Sequence, residues 1–231
     1  MRLLGVFASL DLVFFVCCQA PSASPKRGLV YVPNSKYPQD DQLWDSSTSD
    51  LTWYYNYGHQ PSPAYVNSKL QFVPQLWGAP ANSGDTAFLD SIQSQVKAGM
   101  NFSHVLAFNE PDMQSSVGGS NIDPTTAAQI WTREVEPLSK MGIRLGSPAC
   151  SSAPSGITWM QSFLQACSNC TVDFMVVHFY GDFQGLASHI GQYVGTFNRT
   201  VWVTEYANAH ASLSDAQTFY NESSTFMDRN S

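Results

Sequence analysis

The sequence predicts an α/β fold of the (β/α)8 TIM-barrel type, on three observations. Seven short runs rich in β-branched and aromatic residues alternate with helical stretches from Gly28 onward. A parallel sheet with crossover helices produces that order. Several runs are apolar almost throughout, as in Phe174-Met175-Val176-Val177, and strands buried on both faces read this way. The first strand is followed by Val30-Tyr31-Val32-Pro33-Asn34-Ser35, with no Gly-x-Gly-x-x-Gly and no phosphate loop in the chain. That sets aside a doubly wound nucleotide fold in favour of the barrel, which typically takes ~250 residues.

The elements follow in order. Residues 1–20 read as a signal peptide: Arg2, the apolar stretch Leu3 to Val16 interrupted by Asp11, then the small residues Ala20 and Ala23. A Pro/Ser-rich linker occupies 21–27, and the barrel domain is assigned to 28–231. Strands are expected at Gly28–Val32, Leu51–Tyr57, Gln71–Trp77, His104–Asn109, Arg144–Ser147, Phe174–Tyr180 and Val201–Tyr206. A helix from near Asp85 carries Phe88, Leu89, Ile92 and Val96 at helical spacing and stops at Gly99. The next has Asp123 as cap and Pro124 at its first position, runs to Gly142, and should kink at Pro137. Others cover Ile157–Cys167, Leu186–Phe197 and Ser214–Met227, with Ser214 as the cap of the last.

Composition narrows the function classes. With 231 residues, 43% hydrophobic and 13% aromatic, the chain holds one domain with a sizeable core. A net charge of -7 leaves no basic stripe, so nucleic acid is not an expected partner. No apolar run of ~18 residues follows the first twenty, so no spanning helix is expected once the signal is removed. Cys17 and Cys18 fall in the signal. Of Cys150, Cys167 and Cys170, the Cys-x-x-Cys pair reads as a local structural disulfide, because neither a thioredoxin-like context nor a second zinc-ligand pair accompanies it. Asn101, Asn169, Asn198 and Asn221 each open a glycosylation triplet, which fits an exported glycoprotein. Lys26-Arg27 is either a dibasic processing site or two solvated charges.

The chemistry emerges by elimination. Of five glutamates, Glu134 and Glu136 lie mid-helix and read as solvated, and Glu222 sits in a glycosylation triplet. Glu110 ends the fourth strand and Glu205 ends the seventh, the rim where barrel active sites form. Two carboxylates there are what glycoside hydrolysis requires, one protonated and one ionised. Their neighbours are Asn109-Glu110-Pro111-Asp112, His178-Phe179-Tyr180 and Thr204-Glu205-Tyr206. Trp77 and Trp53 are candidate sugar platforms, since sugar rings pack their apolar faces on aromatic planes. His178 reads as a hydrogen-bonding wall residue. No His-Glu-x-x-His and no Gly-x-Ser-x-Gly occurs, so no metal, cofactor or serine-esterase chemistry is expected.

With these motifs the chain resembles glycoside hydrolase family 128, the fungal-type secreted endo-β-1,3-glucanases. The resemblance runs from Lys26-Arg27-Gly28-Leu29 to the end. It includes Gln71 to Gly78, Leu106 to Asp112, Ala166 to Phe174, Val177 to Asp182 and Val201 to Tyr206. It implies a retaining mechanism with Glu110 as general acid/base and Glu205 as nucleophile. Asn109 would bond the 2-hydroxyl of the reacting sugar, Tyr180 would hold Glu205, and His178 and Tyr206 would belong to the substrate site. It also implies an eighth strand that this sequence does not reach, hence a barrel truncated before its last unit. The expected partner is a β-glucan, the expected location extracellular or cell wall, and the expected state of a complete form monomeric. The alternative is a non-catalytic glucan-binding wall protein or an inactive fragment of the enzyme.

Overall fold

The structure is a computed structural model that describes residues 26–230. The expected signal at 1–20 and residues 21–25 of the linker lie outside the described residues. The described residues form seven strands: β1 Gly28–Val30, β2 Trp53–Tyr55, β3 Gln71–Phe72, β4 His104–Val105, β5 Arg144–Cys150, β6 Phe174–Tyr180 and β7 Val201–Ala207. The helices are α1 Asp41–Trp44, α2 Ala87–Lys97, α3 Pro124–Ile130, α4 Pro154–Ala166, α5 Phe183–Phe197 and α6 Leu213–Arg229.

All ladders are parallel, and the strands lie in chain order as two sheets, β1-β2-β3 and β4-β5-β6-β7. An isolated bridge between Gln75 and Leu106 carries the array from one sheet to the next. The array curls: the Trp53 ring on β2 stands 5.1 Å from the Trp202 ring on β7. The result is a parallel α/β half-barrel. Among the described residues no ladder pairs β1 with β7, so the expectation of a closed eight-stranded barrel is met only at this coarser level.

Two clusters make the core, one on each face of the curl. The larger lies between strands and helices and holds Ile92, Trp131, Met160, Phe163 and Tyr193. The smaller fills the inside with Tyr55, Val73, Leu106, Ala149, Phe174 and Val176, joined by Trp53, Tyr57 and Trp202. Burying each such side chain contributes about 1.5–3 kcal/mol. Gly28 is required here: a Cβ on it would stand 2.1 Å from the Trp53 ring.

The helix expected from Asp123 to Gly142 is three pieces. Asp123 caps α3 by accepting the Thr125 and Thr126 N–H groups, with Pro124 at its first turn. A π turn at Trp131–Val135 and a 3-10 segment at Glu136–Met141 follow. Pro137 has no N–H to continue the regular ladder, which is the expected cause of the break.

Glu134 and Glu136 correct the reading of them as solvated. Glu134 is buried and accepts the Phe88 N–H at 3.0 Å, capping α2, whose own Thr86 makes no side-chain cap. Glu136 accepts from Trp131 Nε1, the Thr171 N–H and the Thr171 hydroxyl. Both carboxylates satisfy orphan donors, so their role is structural.

The cap of α6 is Ser212, which accepts the Asp215 N–H, not Ser214. Lys26 and Arg27 are engaged rather than freely solvated. Lys26 Nζ donates to the carbonyls of Met227, Asp228 and Asn230 at the end of α6, while Arg27 pairs with Asp50 and Asp228. Cys167 and Cys170 form a disulfide, and Cys150 is free and buried, its thiol pushed up by burial. No helix among the described residues is long and apolar enough to cross a membrane.

Candidate active site

The seventh strand decides where Glu205 points. On β6, Val176 faces the interior of the curl and pairs with Trp202; Val177 and Val203 face the helices. Strict alternation from Trp202 would then send Glu205 outward. Instead the register shifts: Val177 pairs with Val203, but His178 pairs with Glu205, leaving Thr204 as the extra residue of a bulge. The bulge turns Glu205 inward and Tyr206 outward.

Glu110 reaches the same space by a turn. Its N–H donates to the Ala149 carbonyl at 2.8 Å and its carbonyl accepts from Met113 N–H at 2.9 Å. Its φ of 39° is a left-handed conformation, which costs a non-glycine residue on the order of 1–3 kcal/mol. Gly119 lets the backbone close over this turn, since a Cβ there would lie 2.3 Å from the Met113 carbonyl oxygen and 2.6 Å from that of Glu110. Asp112 fixes the opposite loop by accepting the Ser151 N–H and hydroxyl.

Around Glu205 the donors converge. Tyr57 and Tyr180 donate their hydroxyls to Oε1 and Oε2, each at 2.7 Å, and Tyr55 donates to Oε1 at 3.3 Å. Burial first, and the neighbouring Glu205 carboxylate second among its causes, push these phenols up, so they stay protonated donors at ordinary pH. His178, buried on β6, stands between the acids, with Nδ1 3.2 Å from Glu110 Oε1 and Nε2 3.5 Å from Glu205 Oε1. The acids are close: one ligand atom each from Glu110, His178 and Glu205 lie within 4.8 Å of one another. In spacing this trio could hold a cation, but both Glu205 oxygens already face hydroxyl protons, a donor set suited to a fixed carboxylate.

A cavity of about 620 Å³ opens over the pair, lined by Tyr57, Trp77, Asn109, Glu110, Tyr180 and Glu205 among others. That size suits a small ligand or one or two sugar rings. Trp77 is 40% exposed and presents its ring there. Asn109 donates Nδ2 to the Gly118 carbonyl, and its buried Oδ1 has no partner among the described residues.

Three residues expected in the substrate site are placed otherwise. Trp53 sits at the other end of its strand from the cavity, packed on Tyr55 and Trp202 with Nε1 donating to the Lys26 carbonyl. Strand alternation keeps it inside, but at the floor. Tyr206 faces α6, against Phe219 and Tyr220, and burial pushes its phenol up to about 12. His178 touches the two acids rather than the open cavity. Tyr55 and Tyr57 are residues that the sequence does not assign to Glu205; alternation with Trp53 marks their shared strand face, and the curl of the strands supplies the partner. The asparagines of the four Asn-x-Ser/Thr triplets, Asn101, Asn169, Asn198 and Asn221, are all exposed.

The family described as "Glycosyl hydrolase catalytic core" matches residues 28–231. The curated Alkali-sensitive linkage protein 1 of Schizosaccharomyces pombe is 32% identical over 216 residues, covering 90% of this chain and 37% of that protein. The chain thus spans little more than a third of the curated relative's length. Among solved structures, a curdlan-specific exo-β-1,3-glucanase of glycoside hydrolase family 128, subgroup III, from Blastomyces gilchristii is 31% identical. It superposes with a TM-score of 0.74, covering 90% of this chain and 87% of that one. A subgroup II endo-β-1,3-glucanase from Sorangium cellulosum is 27% identical with a TM-score of 0.72, covering 87% and 82%. By the family match, and by a 31% identical relative covered over most of its length, the chain belongs to glycoside hydrolase family 128 and carries its glycosidase catalytic core.

Proposed function

We propose that the chain hydrolyses β-1,3-glucan by a retaining, two-step mechanism. The observation that carries this reading is the spacing of Glu110 and Glu205 across the cavity. One oxygen of each acid lies within 4.8 Å of the other, a close approach in keeping with the carboxyl separation of about 5–5.5 Å in retaining enzymes. Glu205, held on both oxygens by tyrosine hydroxyls, would attack the anomeric carbon as a carboxylate. Glu110, which touches His178 and retains 17% side-chain exposure, would give its proton to the departing glycosidic oxygen. In the second step Glu110 would take a proton from water, and that water would release the sugar from Glu205. Asn109, one residue before the acid, would meet the 2-hydroxyl with its unpartnered oxygen, and Trp77 would stack a ring.

The substrate class rests on the relatives, which include one enzyme acting from a chain end and one acting internally. The curl of the strands and the contacts from β2 to β7 support reading the array as part of a (β/α)8 barrel. Export is proposed on the signal-like residues 1–20 and the exposed glycosylation triplets.

The test is reducing-end release from a linear β-1,3-glucan by the purified chain, with the anomer of the first product read by proton NMR. Release with β-anomer formed first is expected. An α-anomer product would overturn retention, and oligosaccharide binding without release would make the chain a binding protein instead.

A further inference from the structure

The geometry points to Tyr55 and Tyr57 as positioning residues that lock the bulged register of β7 and so set the attacking oxygen of Glu205. This rests on the reading of Glu205 as nucleophile. The two tyrosines alternate on one strand line from β2 and reach β7 across the inside of the curl. Each holds a different part of the same irregularity. Tyr55 donates to the carbonyl of Thr204, the extra residue of the bulge, at 3.2 Å and to Glu205 Oε1 at 3.3 Å. Tyr57 donates to Glu205 Oε1 at 2.7 Å.

A bulge needs such a hold because it interrupts ladder pairing, and a one-residue slip would reverse the facing of every later side chain on β7. Thr204 is itself buried with its hydroxyl unpartnered among the described residues, so the bulge is retained against a local cost. Tyr57 also carries a cost of its own: its φ is 61°, a left-handed conformation that a bulky aromatic rarely adopts. The turn keeps it there, with the Gly58 N–H donating to Asn56 Oδ1, Asn56 Nδ2 to the Gln60 carbonyl, and the Gln75 N–H to the Gly58 carbonyl. Strain held on both sides, ending in a short hydrogen bond to one carboxylate oxygen, marks a residue kept for orientation.

Tyr180 does not duplicate this role. It comes from β6, the strand beside β7, and donates to the other oxygen, Oε2. With Oε2 fixed from the neighbouring strand and Oε1 from across the curl, the plane of the carboxylate is set relative to the cavity.

The test compares Tyr57→Phe and Tyr55→Phe with the wild-type chain. Each variant keeps the ring, and with it the 5.2 Å contact between the two tyrosines, but loses its hydroxyl. The readouts are melting temperature, kcat and KM on a β-1,3-glucan oligomer, and the rate of covalent labelling of Glu205 by a 2-deoxy-2-fluoro glucosyl fluoride, followed by intact mass. Tyr57→Phe is expected to melt with the wild type and leave KM within about threefold. Its kcat and labelling rate should fall together by about 100- to 1,000-fold, as for losing one oriented donor in an active site. Tyr55→Phe should show the same pattern, less steeply. Labelling of Tyr57→Phe and wild type at equal rates overturns this inference alone. A loss of labelling that tracks a lowered melting temperature in both variants also overturns it, since that is a packing role. A wild type that is never labelled overturns the nucleophile reading, and this inference with it.

Discussion

The two sheets differ in how they hold their strands. β5, β6 and β7 are seven residues each, and β6 pairs with β5 between Phe174 and Val177 and with β7 from Met175 to Tyr180. β1, β2 and β3 have three, three and two residues. In β6 the first five residues are all buried, whereas β1 has none that is. The long strands therefore set register, and register is what aims His178 and Glu205. The short strands end early and release their chain into turns, and those turns supply Tyr57 and Trp77 to the cavity. The long strands aim His178 and Glu205 and add the Tyr180 hydroxyl, the short strands bring Tyr55, Tyr57 and Trp77, and Glu110 leaves the two-residue β4 through a turn.

The largest expected effect breaks the chemistry and not the frame. Glu205→Gln should remove turnover on every glycoside, because no glycosyl-enzyme forms. Glu110→Gln should slow glycosides with poor leaving groups by about 10²- to 10⁴-fold, and spare activated aryl glycosides in the first step. Steady-state rates on both substrate types check this, and equal losses on the two types would argue against Glu110 as the acid/base.

A second prediction compares the frames. Phe174→Ala on β6 empties a site inside the curl, beside the rings of Trp202 and His104. It should cost about 3–5 kcal/mol in denaturant unfolding. Phe72→Ala on β3 removes a ring that is less deeply buried, 6% against 1% exposed, and should fall at or below the lower end of that range. Equal costs would show that short and long strands are held alike.

The smallest effect sharpens the same contrast by pH. Burial first, then Arg144, lower the pKa of His104 below its ordinary value, with Asp173 opposing. The unfolded chain therefore takes up this proton before the folded one as pH falls below ~6.5. Stability should decline from there until the folded ring is also protonated, and be flat above. His189, also lowered by burial, adds a slope of the same sign. His104→Gln should reduce the slope of unfolding free energy against pH between 5 and 6.5 without removing it. An unchanged slope would place the whole effect on His189.

Much of the site was legible because its signals are local. Glu110 and Glu205 stand out as carboxylates near the expected strand ends, as Trp77 does as an aromatic, although β3 and β4 stop earlier, at Phe72 and Val105. Asp123-Pro124 announces a helix start without reference to any neighbour. Glu134 and Glu136 were misread for the opposite reason. Their partners, the Phe88 N–H and Thr171, are 46 and 35 residues away, and a mid-helix glutamate gives no local sign of capping another helix. Trp53 and Tyr206 lie on the expected strands, but Trp53 sits at the floor and Tyr206 faces α6. Depth along a barrel strand depends on stagger between strands, which no single strand encodes.

Alternation, turn residues and side-chain type are read within a few residues, and they suffice for the parallel α/β class, the order of the strands, the candidate acids and the lack of a phosphate loop. The inward facing of Glu205 comes from pairing between strands. The period of two along Val201-Trp202-Val203-Thr204-Glu205 points it away, and the bulge that corrects it exists only through pairing with β6. Tyr55 and Tyr57 then meet it from 150 and 148 residues away. Facing and reach are properties of register and curl, and those are set by pairing between strands rather than by any one of them.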